Sequence, residues 1–158
     1  MNTSVSTEQV QRLVDHDEIA SLVYRLAAVL DDRRFDDMRQ LFVGEATVRT
    51  PGGTAEGREA LVAQARRNHP LDEPSQHVIT NVLTDLVDDR AEVRANLIVH
   101  FASPAARDAS LPAPPIAYAL GEVYRFDVVR TSQGWRFSRI ETSPVWISGS
   151  PDRRPPGS

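Results

Sequence analysis

A chain of 158 residues, 41% hydrophobic and 25% charged, is long enough to bury one core and short for two domains. Its net charge of −4, with arginines scattered rather than gathered into a stripe, argues against nucleic acid as a partner. No apolar run nears the ~20 residues of a membrane span. The N-terminus lacks a signal-peptide pattern, and without cysteine there is no disulfide, thiolate nucleophile or thiolate metal site. The expectation is a cytoplasmic protein that engages neither membrane nor nucleic acid.

In chain order, Ser6 is placed to cap a first helix, with Gln9 reaching back from its third position. Apolar residues then recur at Val10, Leu13, Val14, Ile19, Leu22, Val23, Leu26, Ala27 and Leu30, one-sided from Ile19 on, while Glu18, Ser21 and Arg25 mark the solvent face. A short second helix puts Phe35, Met38, Leu41 and Phe42 on one side. Residues 45–50 alternate as a short strand stopped by Pro51-Gly52-Gly53, and a third helix spans about 58–68 with Leu61, Val62 and Ala65 inward. Pro70 and Pro74 bracket a loop.

From Gln76 the period becomes two. Strands are predicted over residues 76–87 and 90–102, joined across Asp88-Asp89 as a tight hairpin, then over 116–130 and 135–147 after a Pro- and Ala-rich loop. Helices first and strands afterwards predict an α+β layout, with helices packed on one face of a curved antiparallel sheet that encloses a pocket. The domain is assigned to residues 1–148, and residues 149–158 are read as a disordered Pro-rich tail.

An unbroken hairpin register from Asp88-Asp89 sets His77 opposite His100, Ile79 opposite Ile98 and Asn81 opposite Asn96 on one face. Val78, Val82, Leu86, Val93, Ala95, Leu97 and Val99 fall on the other as core. A single-residue slip would separate the histidines onto opposite faces. Paired imidazoles among apolar neighbours suit acid–base work, because each ring nitrogen can donate or accept near neutrality. Asp31 ends the long first helix, where the helix dipole disfavours an anion, so burial there predicts a protonated acid sharing a proton with His77. Tyr118, Glu122 and Tyr124 share one strand face as further hydrogen-bonding candidates. His69, followed by Pro70, reads as a helix-terminal residue, and no phosphate loop, nucleophile elbow or multi-ligand metal motif is present. The expectation is a site without metal or organic cofactor.

Four stretches in colinear order carry a resemblance. Residues 29–42 hold an acid closing a helix and an aromatic, Phe35, four residues on. Gly57-Arg58-Glu59-Ala60-Leu61 opens the third helix. Gln76-His77-Val78-Ile79-Thr80-Asn81 is a histidine strand, and residues 124–139, with Gly134-Trp135-Arg136-Phe137, form a last hairpin. From about Val14 to Ile147 the chain resembles SnoaL-like polyketide cyclases and scytalone dehydratase, within the nuclear-transport-factor-two-like superfamily. The resemblance implies a cone-shaped fold and a cofactor-independent cyclase, dehydratase or isomerase acting on a polyketide-like or polycyclic, hydrophobic small molecule, in secondary metabolism or antibiotic biosynthesis. It implies catalytic roles for Asp31, His77 and His100, the last two as a cross-strand histidine pair, while the hairpin register places Ile79, Asn81, Asn96 and Ile98, and the shared strand face Tyr118, Glu122 and Tyr124, as candidates around the substrate. Leu30 stands where scytalone dehydratase has a water-holding tyrosine.

Two other readings share the fold: a non-catalytic ligand-binding pocket, and a structural subunit like the small subunit of ring-hydroxylating dioxygenases. The titratable set favours the enzyme. Tyr124, Phe126, Trp135 and Phe137 alternate along the last strands, and an exposed aromatic face of that kind predicts a homodimer through the sheet.

Overall fold

The computed structural model describes residues 4–103 and 108–150. α1 (Thr7–Asp31) is followed by a 3₁₀ helix (Phe35–Gln40), β1 (Phe42–Thr50), β2 (Gly53–Glu56), α2 (Arg58–Asn68), β3 (Ser75–Val87), β4 (Arg90–Ala102), β5 (Ile116–Thr131) and β6 (Gly134–Gly149). Pro151–Ser158, most of the predicted tail, lie outside the described residues. Among the described residues, no helix is long and apolar enough to cross a membrane.

The sheet runs β2-β1-β6-β5-β4-β3, so β3 is an edge strand. β3 to β6 form the predicted antiparallel meander, whereas β1 pairs with β6 in parallel and makes the sheet mixed. The short strand expected at 45–50 begins at Phe42, and β2, which the sequence reading lacked, folds back on it after Pro51-Gly52-Gly53. The resembling Gly57-Arg58 opening has a local cause. Gly57 adopts φ 81°, a conformation costly for any residue with a Cβ, and its N–H donates to the Ala46 carbonyl. Arg58 Nε then donates to the Phe42 carbonyl at 2.9 Å, tying the start of α2 to β1.

Ser6 and Gln9 form the expected capping box. Ile19, Leu22, Val23, Leu26, Ala27, Val29 and Leu30 bury the one-sided face of α1 on the sheet. Val10, Leu13 and Val14 remain exposed. One polar group on this part is buried: Asp15 accepts both Nη atoms of Arg130 at 2.8 Å and the Trp135 indole N–H at 3.3 Å. Arg130 stacks over the Trp135 ring at 4.4 Å, so one clasp holds α1 to the β5–β6 turn.

Phe42, Phe126 and Phe137 form the centre of the core, with ring centroids 5.1–5.3 Å apart. This corrects the expectation for the aromatic strands. Phe126, Trp135 and Phe137 are buried, and Tyr124 packs against the same core, because these positions share the inward parity of β5 and β6. The outer face carries Val78, Ile98 and Trp146 instead, each 38–44% exposed. Trp146 lies across Gly121, where a Cβ would come within 2.2 Å of the indole, so only glycine fits there.

Candidate functional site

The predicted hairpin holds only near its turn. Val87 pairs with Arg90 and Leu83 with Arg94, but Thr80 pairs with Asn96, so Asn81 and Val82 stand opposite Ala95 alone. That is a β-bulge, and Asn81 takes φ 53°, a left-handed conformation that asparagine tolerates better than most residues. Parity reverses across it. Val82 and Leu86 point inward on one side, Ile79 and His77 on the other.

His77 therefore pairs with Val99, and His100 pairs with Gln76 on the opposite face. The His77–His100 pair is corrected: the rings lie on opposite sides of the sheet. Ile79 faces Leu97 in the core, whereas Ile98, Asn96 and Asn81 lie outward and are not pocket residues. Val78, expected in the core, is likewise exposed.

Asp31 and His77 do meet. The last residue of α1 ends against the start of β3, and Asp31 Oδ1 lies 2.6 Å from His77 Nδ1, with the His77 side chain only 3% exposed. The carboxylate also accepts the His77 backbone N–H at 2.9 Å and the Ser75 hydroxyl at 3.3 Å. Burial pushes the Asp31 pKa up, but these hydrogen bonds outweigh it and hold the group below its ordinary value. The protonated acid expected from the helix dipole is thus corrected to a carboxylate. Asp32 is exposed beside Arg34, as a solvated turn residue.

Arg33 fixes this junction. It takes φ 59° just past the helix, and its guanidinium donates to the Leu30 carbonyl at 2.7 Å, the Ser75 hydroxyl at 2.9 Å and the Glu73 carbonyl. The helix end and the edge strand are held together by one side chain.

His77 has a histidine partner after all. His69 caps α2 at its C-terminus, and its Nε2 lies 3.3 Å from His77 Nε2, while its Nδ1 is 3.0 Å from the Ala65 carbonyl. Burial among Phe35, Phe101 and His77, together with the neighbouring imidazole, lowers the His69 pKa to about 4. His69 is the helix-terminal residue that the sequence predicts, but its contact with His77 is not legible there, because no periodicity links a helix end to an edge strand. The short 70–74 loop between them was the available signal.

Tyr118, Glu122 and Tyr124 are on the inner face of β5, settling the parity the sequence left open. Tyr118 stacks on Phe101 at 4.5 Å, and burial raises its pKa to about 12. Burial raises Glu122 as well, opposed by a hydrogen bond from Thr142 and by the charge of His77. Burial pushes the Tyr124 hydroxyl upward too.

Next to this cluster lies a narrow cavity of about 70 Å³, walled by apolar side chains including Leu26, Leu30, Phe42 and Leu61. His69, Tyr124 and Thr142 are polar members of its wall, and the exposed Asn68 marks where it nears solvent. Among the described residues, His69 and Tyr124 are the titratable groups lining it, and His77 stands behind His69.

Helices on a curved sheet, with an acid–histidine pair under the end of α1, define a cone-shaped α+β protein with an internal polar cluster. The chain belongs to the SnoaL-like domain family, whose profile matches residues 11–141. It is similar in structure to the Kfla4162 protein of Kribbella flavida, with TM-score 0.75 and 23% identity over 87% of this chain and 95% of that one. It is also similar to a candidate scytalone dehydratase from Novosphingobium aromaticivorans, with TM-score 0.74 and 22% identity over 90% and 91% of the two chains. A type 2 hexachlorocyclohexane dehydrochlorinase matches with TM-score 0.73 and 18% identity over 94% and 99%. At these identities the likenesses show the nuclear-transport-factor-two-like fold. No curated protein matches the sequence.

Proposed function

We propose that the protein is a cofactor-independent acid–base enzyme, a dehydratase, cyclase or isomerase acting on a polyketide-like or polycyclic small molecule, in secondary metabolism. The observation that carries this reading is the 2.6 Å contact between the Asp31 carboxylate and an almost fully buried His77. A carboxylate on Nδ1 fixes the ring's orientation and leaves Nε2 as the working nitrogen, a division of labour that suits proton transfer. Tyr118 and Tyr124, raised by burial, keep their hydroxyl protons at neutral pH and, with Glu122 beside them, supply hydrogen bonds to an oxygen of the substrate. Elimination is favoured among the three reactions, because two similar structures bear names describing loss of water and of hydrogen chloride.

A cavity of about 70 Å³ is well below the ~300–1,000 Å³ of ordinary ligand pockets, so a polycyclic substrate requires the α2 end to move outward.

The test is turnover of hydroxylated polycyclic and polyketide-like compounds by chelator-dialysed protein. Asp31→Asn and His77→Gln should each lower kcat by ~10²–10⁴-fold, the range of general acid–base catalysis. The double variant should lose little more than the worse single one, since the pair acts as a unit. A His77→Gln enzyme within about two-fold of wild type sinks the catalytic reading and leaves the ligand-binding one.

A further inference from the structure

The contact between His69 and His77 constrains where the protons are. Two imidazole nitrogens 3.3 Å apart hold one proton between them: two bare lone pairs repel, and two N–H groups clash. His69 Nδ1 faces a backbone carbonyl, which can only accept, so that nitrogen carries hydrogen. The ring is buried, with Phe35 and Phe101 beside it, and is neutral above about pH 4, so its Nε2 is bare. The shared proton is therefore on His77 Nε2.

The other His77 nitrogen is also protonated. Asp31 already accepts a backbone N–H and a hydroxyl, donors that favour its ionised form, and it lies 2.6 Å from Nδ1. The charged and titratable groups facing the two rings are Asp31 from α1, Arg33 beyond its end and Glu122 from β5. Asp31 balances a cation on His77, and Arg33 disfavours one on His69.

We propose that His69 is a positioning residue of this site: it accepts the Nε2 proton of His77, so the resting site holds a doubly protonated His77 between the Asp31 carboxylate and a neutral His69. The site then acts first as a proton donor. His77 becomes a base only after giving up Nε2–H. His69, in the cavity wall, stands between that stored proton and any ligand. The catalytic use of this proton rests on the Asp31–His77 reading above; the proton inventory does not.

The experiment uses the full chain labelled with ¹⁵N-histidine and long-range ¹H–¹⁵N spectra at pH 7, with no ligand. The four histidines are assigned by single substitution. His77 should show both nitrogens protonated, and His69 only Nδ1. His69→Gln, whose side-chain oxygen can accept, should keep the His77 Nε2 proton, and His69→Leu should lose it. If His69→Leu fails to fold, His69→Phe replaces it, retaining the aromatic contacts with Phe35 and Phe101. A bare His77 Nε2 in the wild type, a doubly protonated His69, or a His77 Nε2 proton that survives loss of the acceptor overturns the proposal. Turnover of Asp31→Asn and His77→Gln decides the catalytic reading separately, so each can fail without the other.

Discussion

Asp31, His69 and His77 are ordinary side chains whose chemistry is set by what they touch. Asp31 sits at the helix end that repels anions, yet donors from His77 and Ser75 keep it ionised. For His69 burial wins over its hydrogen bond to Ala65, and the depressed pKa becomes a pH dependence of stability. The unfolded ring takes up a proton near pH 6.5, whereas the folded ring does so only near pH 4. Nothing is lost above pH 6.5, and stability falls as pH drops from 6.5 towards 4. At pH 4.5 the loss from this residue should be roughly 2–3 kcal/mol. Thermal melts at pH 7 and 4.5 should show His69→Gln losing fewer degrees than wild type on acidification. Equal losses in the two proteins would remove His69 as their source.

Strand β3 is two half-strands joined by a bulge, and the bulge decides what the site contains. Deleting Asn81 closes the bulge, leaving Val82 opposite Ala95 and Thr80 opposite Asn96, so His77 still pairs with Val99 and faces inward. The deletion should therefore preserve the contact between Asp31 and His77 and keep Ile79 in the core. An unchanged pair of His77 nitrogen signals in long-range ¹H–¹⁵N spectra is the expected result. A His77 signal that moves to that of a solvent-exposed imidazole would show that the strand slips instead. Asn81→Gly keeps φ 53° without strain and should be neutral or slightly stabilising. Asn81→Val should cost about 1–2 kcal/mol, because a β-branched residue in the left-handed region clashes with its own backbone.

The whole molecule presents two sheet faces of different character. The inner one holds the aromatic core, the narrow cavity and the histidines, and the outer one holds Val78, Ile98 and Trp146 beside Gly121. The homodimer expected from the sequence has to use these outer residues, since the aromatics first assigned to it are buried. Light scattering should give twice the 17.5 kDa chain mass at micromolar concentration, and Trp146→Arg should halve it. A wild-type mass of one chain discards the dimer. A sheet-to-helix clasp at Asp15, Arg130 and Trp135 keeps α1 in place from the end opposite the site, so both ends of this helix are pinned by arginine.

By itself the sequence determined the elements and their order, apart from β2. The capping box at Ser6, the stripe from Ile19 to Leu30, α2 over its full length and the strands of the meander all follow from local periodicity and turn chemistry. It also marked Asp31, His77, Tyr118, Glu122 and Tyr124, since acids and histidines interrupting apolar elements stand out. Only the tertiary structure decided which of these meet. One left-handed residue at Asn81 exchanges the faces of half a strand, and so replaces His100 by His69 as the partner of His77. The burial of Phe126, Trp135 and Phe137, and the parallel pairing of β1 with β6, belong to the same kind of fact. Alternation says that two faces differ, and the packing of distant segments says which one is inside.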